Sequence, residues 1–140
     1  MRKCRLAKAA IGLMFLLAGC SRMPLGRPPV YPVSGEVFVH GQPATNAVVR
    51  FYAIDNPIFE RLCPHAIVEP DGSFRLTTFN SEDGAPVGSY AVTLTWPLPP
   101  RPGNEEGPDR FHGRYNDRRR PVCKVQVFPG ENQLERINLP

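Results

Sequence analysis

Residues 69 to 96 read EPDGSFRLTTFNSEDGAPVGSYAVTLTW, with two Asp-Gly pairs and the four carboxylates Glu69, Asp71, Glu82 and Asp83 set among short apolar runs. The stretch is either a metal or acid-base site or the turns of a β-sheet, and the choice decides the fold. A calcium loop spaces its oxygen ligands at alternate positions and closes with a bidentate Glu. The segment NSEDGAPVG has no such ladder. A tight hairpin needs positive φ, which Asp-Gly supplies at low cost. Asp71-Gly72 falls between AIVE and FRLTT, and Asp83-Gly84, followed by Pro86 and Gly88, falls before a strand opening at Tyr90. Both pairs therefore read as turns.

The runs on either side carry the strand period of two. Phe74 and Leu76 face inward against Ser73, Arg75 and Thr77; Tyr90, Val92, Leu94 and Trp96 oppose Ala91, Thr93 and Thr95. Upstream, Val37 and Val39 share a face, as do Ala47, Val49, Phe51 and Ala53, with Arg50 and Tyr52 on the other side. Val125 and Val127, then Ile137 and Leu139, repeat the pattern, and HAIVE at 65–69 adds a weaker strand. About seven short strands separated by Gly, Pro and Asx turns predict a single all-β domain, a seven-stranded antiparallel β-sandwich. The 17 prolines work against long helices.

The N-terminus is different in kind. Arg2, Lys3, Arg5 and Lys8 precede an apolar stretch from Ala9 to Gly19, the layout of a secretory signal and too short to span a bilayer. It ends in Leu17-Ala18-Gly19-Cys20, which is similar to the bacterial lipobox, so Cys20 is expected to become the lipidated N-terminus after cleavage. Each buried CH₂ contributes about 0.8 kcal/mol, so two or three acyl chains hold a protein firmly to its membrane. Residues 21–32, SRMPLGRPPVYP, contain four prolines and suit an extended spacer. The expected organisation is a signal peptide over 1–19, lipidated Cys and tether over 20–32, and the sandwich over 33–140.

Cleavage also resets the charge. Taking the four bases before Cys20 from the 17 Lys and Arg leaves 13 against 13 Asp and Glu. A neutral mature chain gives no support to a nucleic-acid partner. Of the four cysteines, Cys4 leaves with the signal and Cys20 takes lipid. Cys63 and Cys123 remain as candidates for one disulfide in an oxidising compartment, where closing so long a loop would contribute about 4 kcal/mol. Nothing in the spacing fixes the distance between them.

Three stretches together, VSGEVFVHGQPATNAVVRF, DGSFRLTTFNSEDGAPVGSYAVTLTW and DRFHGRYNDRRRPVCKVQVFPGENQLERINL, resemble bacterial lipoproteins with a carboxypeptidase regulatory-like domain, a transthyretin-like β-sandwich. The resemblance covers about residues 32–140. It implies that fold and a cell-envelope address, and brings no catalytic residues. The related hydroxyisourate hydrolase uses a C-terminal Tyr-Arg-Gly-Ser, whereas this chain ends RINLP. Intradiol dioxygenases hold iron with a His-x-His pair, whereas His40, His65 and His112 are isolated.

Two features remain for function. RFHGRYNDRRRP gathers Arg110, Arg114, Arg118, Arg119 and Arg120 around His112 and Tyr115, a composition suited to phosphates, carboxylates or anionic glycans, although Glu105, Glu106, Asp109 and Asp117 stand close enough to neutralise it. Trp96, before PLPPRPG, could serve as an aromatic platform but has the inward parity of its strand, and residues 97 to 112 read as a long mobile surface loop. The expectation is a non-catalytic, lipid-anchored envelope protein that binds another protein or a glycan or serves a structural role, with no cofactor and no metal. The alternative is a small hydrolase or metal-dependent enzyme using His65, His112 and the arginine loop. Ser21, where some bacteria use Asp to retain a lipoprotein at the inner membrane, points to the outer one.

Overall fold

The structure, a computed structural model, describes residues 26–103, 105 and 107–140. The expected signal peptide and lipidated Cys20 lie outside these residues. The described chain is all-β, with no helix among its elements. In order, the strands are β1 (Val30–Tyr31), β2 (Val33–Val39), β3 (Gln42–Pro43), β4 (Val48–Ala53), β5 (His65–Ile67), β6 (Ser73–Arg75), β7 (Ala85–Pro86), β8 (Gly88–Thr95), β9 (Cys123–Val127), β10 (Asn132–Gln133) and β11 (Ile137–Leu139).

One sheet runs β5-β4-β8-β9, antiparallel throughout. The other is built around β2, which pairs with β3 and β6 antiparallel and with β10 and β11 parallel. A third pairing, β1 with β7, joins the chain entry to the body. The alternation in the sequence explains the core between the two larger sheets. Val33, Val37 and Val39 from β2, Phe74 and Leu76 from the β6 region, and Val49, Phe51, Tyr90, Val92, Leu94 and Val127 from the facing sheet form one buried cluster. The body is therefore sandwich-like.

Three expectations need correction. The sandwich is not wholly antiparallel, because β10 and β11 lie parallel to β2, and four two-residue strands accompany the seven that were anticipated. The boundary expected between residues 32 and 33 lies earlier. Val30 and Tyr31 are paired to Pro86 and Ala85, and the Pro32 carbonyl accepts the Asn132 amide at 2.9 Å, so the folded body starts at Val30.

The disulfide is also absent: Cys63 and Cys123 are free thiols. Cys63 precedes β5 and its thiol lies beside the Tyr52 hydroxyl on the outer face. Cys123 is the β9 partner of core residue Val92 and packs on the inner side. Cys63 adjoins β5 and Cys123 opens β9, the two edge strands of the sheet, with β4 and β8 between them. A bridge requires Cα atoms within about 7 Å.

The carboxylates of residues 69–96 serve turns. Asp71 Oδ1 accepts the Ser73 amide at 2.9 Å and the Ser73 hydroxyl at 2.6 Å, and these bonds, the hydroxyl first, hold its carboxyl below its ordinary pKa. Asp83 accepts the amides of Thr78, Phe79 and Asn80 at 2.7, 3.0 and 2.8 Å. Gly72 and Gly84 follow with φ of 90° and 94°. The first turn closes a hairpin, in which the Glu69 amide donates to the Ser73 carbonyl at 2.8 Å and His65 and Thr77 exchange backbone hydrogen bonds at 3.0 and 2.8 Å. The same hairpin carries the chain from β5 in one larger sheet to β6 in the other.

Candidate functional site

β4 and β8 present Arg50, Tyr52 and Thr95 outward because Val49, Phe51 and Leu94 take the core parity. Past Thr95 the chain leaves the sheet and folds back over this face. Pro97 bridges to Asp109, the Leu98 amide donates to the Pro108 carbonyl at 2.9 Å, and the Arg110 amide to the Trp96 carbonyl at 2.8 Å. Asp109 organises the return: its Oδ1 accepts the amides of Trp96 at 2.8 Å and Phe111 at 3.2 Å, and its Oδ2 accepts that of Gly113 at 2.9 Å. Three aromatic rings lie behind this backbone. Phe111 packs on Trp96 at 5.8 Å and edge-on to Tyr115 at 4.9 Å, and the Leu94 amide donates to the Tyr115 carbonyl. The segment expected to be a mobile loop is therefore pinned at its start, at Asp109 and at Tyr115.

Between the loop and the sheet lies a cavity of about 740 Å³, whose lining includes Asn46, Arg50, Tyr52, Trp96, Arg110 and Asn116. Its two guanidinium groups are held in place. Arg50 Nη1 donates to Thr95 Oγ1 at 3.1 Å, and the Arg110 guanidinium lies over the Trp96 ring at 4.6 Å, a stacking that orients the fork and leaves its edge N–H groups available. Among the described residues neither arginine is in an ion pair. Trp96 donates Nε1–H to the Thr45 carbonyl at 2.9 Å. It therefore meets the core edge, as its parity suggested, and walls the cavity as well. Burial and then the neighbouring Cys63 raise the pKa of the Tyr52 hydroxyl, keeping it a neutral hydrogen-bonding group.

The other arginines do not join Arg110. Arg114 lies over Tyr115 at 5.6 Å. Arg118 pairs with Glu60, and Arg120 with Asp117 at 3.7 Å. Arg119 is exposed and is fixed only through its backbone amide, which donates to Asp117 Oδ1 at 2.9 Å. The sequence cluster is thus spread around the loop. Arg50, Asn46, Tyr52 and Asn116 were missed by the sequence reading, although the outward parity of Arg50 and Tyr52 on a strand of the same domain as Trp96 was the available signal.

The histidines are also dispersed. His40 and His112 hold turn positions with φ of 49° and 53°. His65 is the cross-strand partner of Arg50 but lines a second, smaller cavity of about 340 Å³ with Glu69, Ser73, Arg75 and Glu82. His112 lines neither cavity. Among the described residues, no three of His, Cys, Asp and Glu gather as a metal-binding group.

No family model matches the chain, and no curated protein does. Among solved structures it is similar to a DUF3823 family protein from Parabacteroides merdae, with 17% identity and a TM-score of 0.43 over 80% of this chain. The chain spans 46% of that protein's length.

Proposed function

We infer that the chain is a lipid-anchored protein of a bacterial cell envelope, held through Cys20 on the extracytoplasmic side, and that its carboxypeptidase regulatory-like body is a non-catalytic module binding an acidic glycan. The observation that carries this reading is the Arg110 guanidinium laid on Trp96, with Arg50 fixed by Thr95 in the same cavity. Two preorganised forks suit carboxylates, while Asn46, Asn116 and Tyr52 offer donors and acceptors for sugar hydroxyls. The volume is in the range of small-ligand sites.

Trp96 is the only tryptophan, so its emission reports on the cavity. Titration with an oligosaccharide containing uronic acid should change that emission saturably, and a neutral hexose oligosaccharide should not. A hydrogen bond to a charged group contributes about 1.5–3 kcal/mol, so Arg110→Gln or Arg50→Gln should weaken binding by roughly 10- to 100-fold. Equal response to the neutral sugar, or unchanged affinity in both variants, would overturn the reading. Its anchor is tested separately by fractionating cells that express wild type and Cys20→Ala, where only the wild type should stay with membranes.

A further inference from the structure

The end of the four-stranded sheet away from Trp96 carries three exposed apolar side chains: Ile54 at 47%, Val87 at 39% and Phe128 at 60% exposure. They stand at one end of the sheet. Val87 and Phe128 flank its last pair on that edge, Gly88 with Val127, and the Ile54 amide donates to the Ser89 carbonyl at 2.9 Å. All three have the outward parity of their strands, since Ala53 pairs with the buried Tyr90 and Val127 itself is buried.

This patch surrounds the chain entry. Val30 and Tyr31 pair with the two residues immediately before Val87. On the other side, Asn132 fixes the Phe128 turn, accepting the Phe128 amide at 2.9 Å and donating to the Phe128 and Gly130 carbonyls at 2.9 and 3.0 Å. The Asn132 backbone amide donates to the Pro32 carbonyl at the entry at 2.9 Å. An aromatic side chain is thus displayed on a rigid turn that is hydrogen-bonded to the incoming segment. From Cys20 to Val30 is ten residues, which can reach no more than about 36 Å.

We propose that Ile54, Val87 and Phe128 form a second membrane contact, inserting shallowly into the bilayer to which Cys20 tethers the chain. The inference rests on the anchor reading above. Three side chains alone hold a surface weakly, but a short tether makes the second contact intramolecular, and its effective concentration makes a weak contact sufficient. Asp55 and Glu131 adjoin the patch in sequence, so attraction to anionic headgroups contributes little, and the contact belongs to the apolar side of the interface. The consequence is an orientation. β8 runs eight residues from Gly88 at this end to Thr95 beside Trp96, about 24 Å, so the Trp96 end of the cavity would lie away from the lipid and its Tyr52 end nearer to it.

The test uses lipidated full-length protein in phosphatidylcholine vesicles whose acyl chains carry bromine, a short-range quencher of tryptophan. Wild type, with Trp96 alone, should be quenched little; the Phe128→Trp variant should show an additional component that is quenched severalfold more strongly. Phe128 is exposed, so the substitution leaves the core untouched. A vesicle-bound Phe128→Trp variant with emission quenched no more than wild type would overturn the proposal and leave the anchor standing. Protein that carries no lipid and does not sediment with vesicles would overturn both.

Discussion

Tyr90 is fully buried, and its hydroxyl donates to the Pro86 carbonyl at 2.8 Å. It packs against Phe51 with ring centroids 5.7 Å apart, so one residue links the four-stranded sheet to the β7 segment that receives the chain entry. Burial pushes its pKa from 10.0 up to about 12. The folded state holds the neutral phenol more tightly than the unfolded state does, so the stabilisation is complete below pH 10 and is lost as pH rises towards 12. We expect denaturation midpoints to fall over that interval, with phenolate absorbance from one tyrosine appearing only on unfolding. Tyr90→Phe should remove this part of the alkaline dependence. At neutral pH it should cost about 1–2 kcal/mol, because the Pro86 carbonyl loses its donor; urea midpoints across pH check both statements.

At the scale of elements, single carboxylates determine loop shape. Asp109 accepts three amides and sets both the return of the 97–120 segment and the backbone on which Arg110 lies. Replacing it with Ala leaves those donors to water, and each lost cap-like bond costs about 1 kcal/mol. Asp109→Ala should therefore lower stability by roughly 3 kcal/mol and weaken binding at the cavity, since the guanidinium loses its fixed position, with Asp109→Asn falling between. Urea denaturation with an unchanged slope, together with Trp96 titration, would show it. The turn role of Asp71 and Asp83 could be read from sequence because an Asx turn is local chemistry within five residues. The loop built by Asp109 could not, because its partners span Trp96 to Gly113 and its bridge to Pro97 crosses a proline-rich gap. Strand faces were legible for the same local reason: a period of two fixes which side chains point inward. It does not fix partner or direction, and so the parallel placement of Asn132–Gln133 and Ile137–Leu139 against β2 emerged only in the structure. Arg110 and Trp96 were each visible as candidates, but their stacking depends on the loop returning.

For the molecule as a whole, the question is what holds a small sandwich-like body together without a covalent brace. The two larger sheets share one apolar cluster running from Val33 to Val127, and the ends are tied by hydrogen bonds from Asn132 to Pro32 and by the Arg136–Glu36 pair at 2.6 Å. A disulfide would add to this only if its thiols met, and they lie on opposite faces of the four-stranded sheet. Cys123 is also made less reactive by burial, which raises its pKa. If Cys20 is lipidated as proposed, the mature protein should therefore yield two titratable thiols, Cys63 and Cys123, when unfolded without reductant, and reductant should leave its thermal midpoint unchanged. Cys63→Ser should cost less than about 1 kcal/mol, because the residue is only half-buried outside the core, against the 2–5 kcal/mol typical of losing a structural bridge. Absence of free thiol, or a Cys63→Ser loss in the larger range, would mean that the sheet faces are arranged otherwise than described, because β4 and β8 stand between the edge strands these cysteines adjoin.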